Sequence, residues 1–294
     1  MKYNIEIDEE GNKRYYVKNV LHREDGPAIE WFDGAKCWFK NGLYHRENGP
    51  AVETEGYKEW WFNGKIHRED GPAIEHDNGT RIWFKEGKYH REDGPAIEYY
   101  SGQKRWYKNG LLHREDGPAV EDTNFLQEWY KNGVLHREDG PALIKPNNRV
   151  EWYVNGKLHR ENGPAIIILN HAKCWFKNGK RHRENNPAVE LMDGTKMWYK
   201  NGLLHREDGP AEEYPNGSKY WYLNGERHRD NGPAYEFFAH KEWYKNNKLH
   251  REDGPAVEFI NGEKKWYLKQ ILYGSNDDFT NESWQKFIKT LIFS

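Results

Sequence analysis

The stretch Lys104-Arg105-Trp106-Tyr107-Lys108-Asn109-Gly110-Leu111-Leu112-His113-Arg114-Glu115-Asp116-Gly117-Pro118-Ala119 decides the reading of this chain, because it recurs. Eleven of the fourteen histidines share its register: His22, His45, His67, His90, His113, His136, His159, His182, His205, His228 and His250, 23 residues apart except for two steps of 22. Each opens a form of His-Arg-Glu-Asp-Gly-Pro-Ala. Seven residues earlier stands an aromatic, Tyr15 and then Trp38, Trp60, Trp83, Trp106, Trp129, Trp152, Trp175, Trp198, Trp221 and Trp243, while Trp266 starts an incomplete unit. A fixed period of this length marks a repeat architecture, in which stacked units bury a core that no unit buries alone.

Within one period the aromatic run ends at Asn109-Gly110, a pair suited to the positive φ angles of a type I′ hairpin turn. After the His-Arg-Glu-Asp-Gly-Pro segment, Ala96-Ile97-Glu98-Tyr99-Tyr100 reads as a second strand closed by Ser101-Gly102. That second turn returns as Asp33-Gly34, Asn78-Gly79, Asp193-Gly194, Asn216-Gly217 and Asn261-Gly262. Two strands and two turns fill each period. Alternation puts the Trp column and the following Tyr/Phe column on opposite faces, and the Trp, the Leu or Ile before His, and the Ala are expected in the packed interior. Pro before each Ala fixes φ and removes a donor, which suits a loop-to-strand junction.

The expected fold is all-β: an elongated single-chain array of about twelve stacked antiparallel β-hairpins over residues 1–270, on the order of 110 Å long at two strands per repeat. Tyr3, Ile5 and Ile7 alternate as a first strand would. In 271–294 the repeat stops, and Trp284, Phe287, Ile288, Leu291 and Ile292 after Thr280-Asn281-Glu282 follow the spacing of a short C-terminal α-helix. Such a stripe either covers the last strand or docks a partner.

Composition agrees with a thin fold. Fourteen Trp and nineteen Tyr accompany only three Met, in a chain 31% charged and 36% hydrophobic, so large rings must supply most of the buried surface. Forty-five basic and 47 acidic residues nearly cancel, which argues against a nucleic-acid partner. The longest apolar run, Ile166-Ile167-Ile168-Leu169, is far short of a transmembrane segment, and Met1 to Glu10 has no apolar signal-peptide segment, so an intracellular, cytoplasmic location is expected. Cys37 and Cys174 lie six repeats apart, roughly 55 Å along the stack, and are expected as free thiols.

His, Arg, Glu and Asp within a few residues invite an acid/base reading, for instance His90 with Asp93. A string repeated eleven times is better read as structural, with Asp or Asn before Gly-Pro taking turn hydrogen bonds and His and Arg tying each loop to its neighbour. Histidines about 9 to 10 Å apart cannot converge on one ion. No catalytic residue, metal site or cofactor is therefore expected. The Lys line before Asn-Gly (Lys40, Lys85, Lys108, Lys131, Lys177, Lys200, Lys245), the Arg ladder and the Glu column from Glu30 to Glu258 read as cross-strand ion pairing on a solvated face.

The pattern breaks in mid-chain. The second turn loses Gly at Asn124-Phe125, Asn147-Asn148 and Asn170-His171, and the Glu column turns apolar at Ile144 and Ile167. Phe125, Leu126, Ile144, Ile167 and Ile168 are the candidate partner-binding patch, since clustered exposed apolar residues mark interaction surfaces.

The 23-residue period, the aromatic before Asn-Gly, the His that follows and the second Gly turn resemble the MORN repeat over roughly residues 10 to 270, and more closely its variant in bacterial YwqK-type antitoxins. The string His-Arg-Glu-Asp-Gly-Pro-Ala is also similar to repeats encoded by giant DNA viruses of amoebae, which would make virion association conceivable. The chain departs from the MORN pattern where Arg-Glu-Asp-Gly-Pro-Ala replaces Gly-x-Gly, and its Trp lies one residue further from the Asn-Gly glycine. The resemblance implies a hairpin array that mediates protein association, often as a homodimer. It also implies an antitoxin-like protein that occludes a toxin as an alternative, and an anionic lipid-surface module as a weaker one that the altered loop disfavours.

Overall fold

In a computed structural model describing residues 2–292, the chain is an all-β array of antiparallel hairpins followed by one C-terminal α-helix. It divides into two compact units, Met1–Pro146 and Asn147–Ser294.

One repeat of the first unit shows how the sequence builds the hairpin. Tyr107–Lys108 pairs with Leu111–Leu112 across the turn, where Asn109 and Gly110 have φ of 53° and 85°, the positive pair a type I′ turn requires. Further from the turn, Lys104–Arg105 pairs with Val120–Glu121. Trp106 links the two pairings: its N–H donates to the Ala119 carbonyl at 2.8 Å and its carbonyl accepts the His113 N–H at 3.0 Å. Arg114 to Pro118 therefore leaves the ladder as a loop between two paired stretches of one hairpin. Val120–Glu121 then turns back to pair with Gln127–Glu128. The Gly turn between strands is a type I turn with a left-handed glycine, closed by the Tyr99 N–H to Gln103 carbonyl and Gly102 N–H to Tyr99 carbonyl bonds.

Successive strands stack one charged column along the sheet. In the first unit the register runs Lys13, Glu30, Lys36, Glu53, Lys58, Glu75, Arg81, Glu98, Lys104, Glu121, then Gln127 and Ile144. In the second it begins at Val150 and Ile167 and continues Lys173, Glu190, Lys196, Glu213, Lys219, Glu236, Lys241, Glu258, Lys264.

The interior differs from expectation in one respect. Ala28, Ile29, Cys37, Phe39 and Val52 form a buried cluster with Leu21, Tyr44, Tyr57 and Trp61 packed on it. Cys37 and Phe39 flank Trp38, so alternation turns Trp38 to the other face, where a guanidinium covers it. The core is thus lined by the residues on either side of the Trp column, and rings are passed along it: Phe84 meets Tyr89 at 4.5 Å and Tyr89 meets Tyr107 at 5.1 Å. The Ala of all eleven complete repeats is 0% exposed, a site that accepts a methyl group and nothing larger without repacking. Both cysteines are free, and burial pushes both thiols above their ordinary value.

The second unit ends differently from a simple helical tail. Ile271–Ser275 is a strand paired with Lys264–Leu268, with a bulge at Trp266/Tyr267, so pairing runs to Ser275. The helix Asn281–Ile292 follows, its Ser283 N–H capped by Thr280 Oγ1. Trp284 and Ile288 bury themselves against Trp266, with Leu268, Phe279 and Phe287 around them, and Trp284 Nε1–H donates to the Arg251 carbonyl. Leu291 remains exposed; the side chain of Ile292 lies outside what is described.

Candidate functional site

Every repeat folds its arginine over its own aromatic. The guanidinium carbon lies 3.8 to 4.2 Å from the ring centroid of Tyr15 or of the repeat Trp, from Arg23 to Arg251. In the repeat at Arg114, Nε donates to Asp116 at 2.8 Å, and one Nη donates to the Pro118 carbonyl at 3.1 Å and to Glu121 at 2.8 Å. A plane stacked on a ring and held at its edge by two carboxylates and a carbonyl is a role for arginine that lysine cannot fill. The Glu column therefore serves its own repeat's Arg, not chiefly the cross-strand Lys as expected. The Arg68, Arg114, Arg137 and Arg206 guanidiniums hold Asp70, Asp116, Asp139 and Asp208 below the usual carboxylate value, by hydrogen bond first and by charge second.

Within each unit the histidine ties a repeat to the next. His113 Nδ1 accepts the Asn132 N–H at 3.1 Å, and the same bond joins His22 to Asn41, His159 to Asn178 and His205 to Asn224. An accepting Nδ1 places the ring proton on Nε2, which faces the Glu two residues on, as His90 does Glu92 at 2.9 Å. His90 and Asp93 are not paired: Asp93 is held by Arg91. Among the described residues no group of three His, Cys, Asp or Glu is placed to hold a metal ion, and no helix is long and apolar enough to cross a membrane.

Between consecutive loops lies an open polar cleft, repeated at 560, 590, 580 and 530 Å³ for the loops beginning at His22, His67, His90 and His159. Near-equal clefts at one-period intervals are a property of the array. Differences between them are what could carry specificity.

The five residues of the candidate patch differ in exposure and lie in both units. Phe125 stands at a turn, 81% exposed, with φ of 64° in the position glycine holds elsewhere. A bulky residue there is strained, and its ring stands in solvent. Leu126 is half-buried beside it, and Ile144 is half-buried in the strand Leu143–Lys145, opposite Gln127. Ile167 and Ile168 belong to the other unit, half-buried in Ile166–Ile168. Of the five, Phe125 alone is an exposed tip.

The second unit has a surface that the sequence reading missed. The first residue of the Gly-type turn is Leu169, Met192, Pro215, Phe238 and Ile260 in five consecutive repeats. Four are 59%, 69%, 75% and 76% exposed, in chain order omitting Pro215, which is also exposed. Backbone bonds tie this position to the preceding repeat's turn, Leu169 N–H to Asn148, Met192 N–H to His171 and Ile260 N–H to Ala239 carbonyls. The apolar tips thus form one row, at about 10 Å per repeat. The legible signal was an apolar residue two before the turn glycine at Met192, Pro215 and Ile260; at Leu169 and Phe238 the turn has no glycine.

Comparison of the chain with protein-family models and with curated proteins gives no match.

Proposed function

We propose that this protein is a non-enzymatic repeat scaffold that binds protein partners, a second copy of itself included, through the edge of its hairpin array. The observation that carries this reading is the row of five exposed apolar turn tips, Leu169 to Ile260, in consecutive repeats of a chain that is 31% charged. Clustered exposed apolar residues of this kind mark interaction sites. The loop chemistry adds support, since the ladder arginines other than Arg160 hold Asp or Glu of their own repeat and the histidines bond the backbone of the next. Replacing Met192, Phe238 and Ile260 together by Asp tests the proposal, because these tips contribute little to the core. Unaltered thermal unfolding with loss of partner capture, or of self-association in sedimentation, is the expected result; retention of both associations would discard the edge as the binding surface.

A further inference from the structure

Among the described residues, ten of the eleven ladder arginines have a carboxylate partner within their own repeat, and Arg160 has none. Arg23, Arg68, Arg91, Arg114, Arg206 and Arg251 hold both the Asp two residues on and the Glu seven residues on. Arg46, Arg183 and Arg229 keep the Glu, and Arg137 keeps the Asp. Around Arg160 both positions have changed at once: Asn162 stands for the Asp and Ile167 for the Glu. The guanidinium is nevertheless placed as in the other repeats, 3.9 Å from the Trp152 ring centroid with Nη1 on the Pro164 carbonyl at 3.1 Å. Its Nε and the Nη edge that meets Glu elsewhere face no carboxylate among the described residues.

The surroundings lean the same way. The cleft of 530 Å³ beside Arg160 is lined by three cations, Arg160, Lys177 and Arg183, and two carboxylates, Glu161 and Glu184. The equivalent cleft between the loops at Arg91 and Arg114 has three cations and four carboxylates. Both carboxylates by Arg160 face histidines, Glu161 to His159 at 3.4 Å and Glu184 to His182 at 2.9 Å. A partly desolvated, pre-oriented guanidinium without a counter-charge is a receptor for one supplied from outside.

We propose that Arg160 is the recognition residue for an acidic side chain of a protein partner, whose carboxylate takes the place that Asp and Glu fill in the other repeats. A carboxylate is the ligand chemistry because in other repeats this edge of the guanidinium donates to carboxylates at 2.7 to 3.1 Å. The inference deepens the scaffold reading and rests on it, but its test needs no partner.

The full-length protein, labelled at arginine Nε, is titrated with hexaglutamate and separately with inorganic phosphate while the Nε–H resonances are followed; Arg160→Lys assigns the Arg160 signal. The expected result is a saturable shift of the Arg160 resonance, with the other ladder arginines unmoved. In the Asn162→Asp, Ile167→Glu variant, which copies the other repeats and so keeps the fold, the response weakens by about tenfold, the order of one lost charge-assisted contact. Equal movement of all ladder arginines, no response at Arg160, or phosphate saturating it at lower concentration than the peptide would each overturn the proposal. Variants of the apolar edge leave this titration unchanged, so the two readings fail separately.

Discussion

A Cβ added to Gly117 would stand 2.8 Å from the guanidinium carbon of Arg114, so the glycine is the second face of a sandwich whose first face is Trp106. Gly26, Gly71, Gly94, Gly140, Gly209 and Gly254 meet their arginines in the same way, at 2.7 to 3.0 Å. This explains the Gly of the loop by contact. In the loops where Asn48, Asn162 and Asn231 replace Asp and no Nε bond forms, the glycine adopts φ of 136°, 149° and 144° instead.

Gly117→Ala should push the Arg114 side chain off its ring. The cost is the stacking and hydrogen bonds that are lost, since the guanidinium itself can move, and about 1–2 kcal/mol is expected. In an Arg114→Ala background the same change should cost little, and a double-mutant cycle in denaturant measures the coupling.

Arg114→Lys keeps the charge and loses the plane. An ammonium cannot stack on Trp106 while bonding Asp116, the Pro118 carbonyl and Glu121, so a loss of about 1–2 kcal/mol is expected. Because repeats couple to nearest neighbours, hydrogen exchange should speed up most in this repeat and the adjoining ones.

His113→Ala removes the acceptor of the Asn132 N–H. Amide exchange at Asn132 should rise by about five- to tenfold, matching a net hydrogen bond of about 1 kcal/mol. An Asn132 amide protected as before would show that solvent or another group substitutes for the ring nitrogen.

Acid should weaken the array through its loops. Asp70, Asp116, Asp139 and Asp208 have folded-state values lowered from 3.8 by their arginines. Their contribution is present above the unfolded value and is lost as pH falls through the folded one. The thermal midpoint should drop on going below about pH 4, and changing these four Asp to Asn should flatten that drop while lowering the midpoint at neutral pH.

Trp284→Ala should cost about 3–5 kcal/mol locally, because the ring is fully buried against Trp266. Exchange should accelerate at Lys264–Leu268 and Ile271–Ser275, with the first unit unaffected.

Much of the fold was legible because it rests on local rules. Asn109-Gly110 names its turn type, and the 23-residue period names the array. The interior was harder: alternation separates Trp38 from Phe39 but does not say which faces the core, and what settles it is Arg46 covering Trp38. That contact spans eight residues and a loop that leaves the ladder, outside any strand period. Ile271–Ser275 was missed as a strand because the repeat pattern has ended there. Of the site, the strained Phe125 was legible from its missing glycine, whereas the row of Leu169 to Ile260 crosses both regular turns, as at Met192-Asp193-Gly194, and turns without glycine, as at Leu169-Asn170-His171, so no single motif marks it.

The bond from His Nδ1 to the amide 19 residues on, as at His182 and Asn201, joins like to like within each unit. Excising one whole period would bring together two surfaces that already fit, so array length is open to variation by gain or loss of modules, while a deletion out of phase would ruin every junction after it. The hairpin works as an interchangeable part, and reach can change without any redesign of the unit that supplies it.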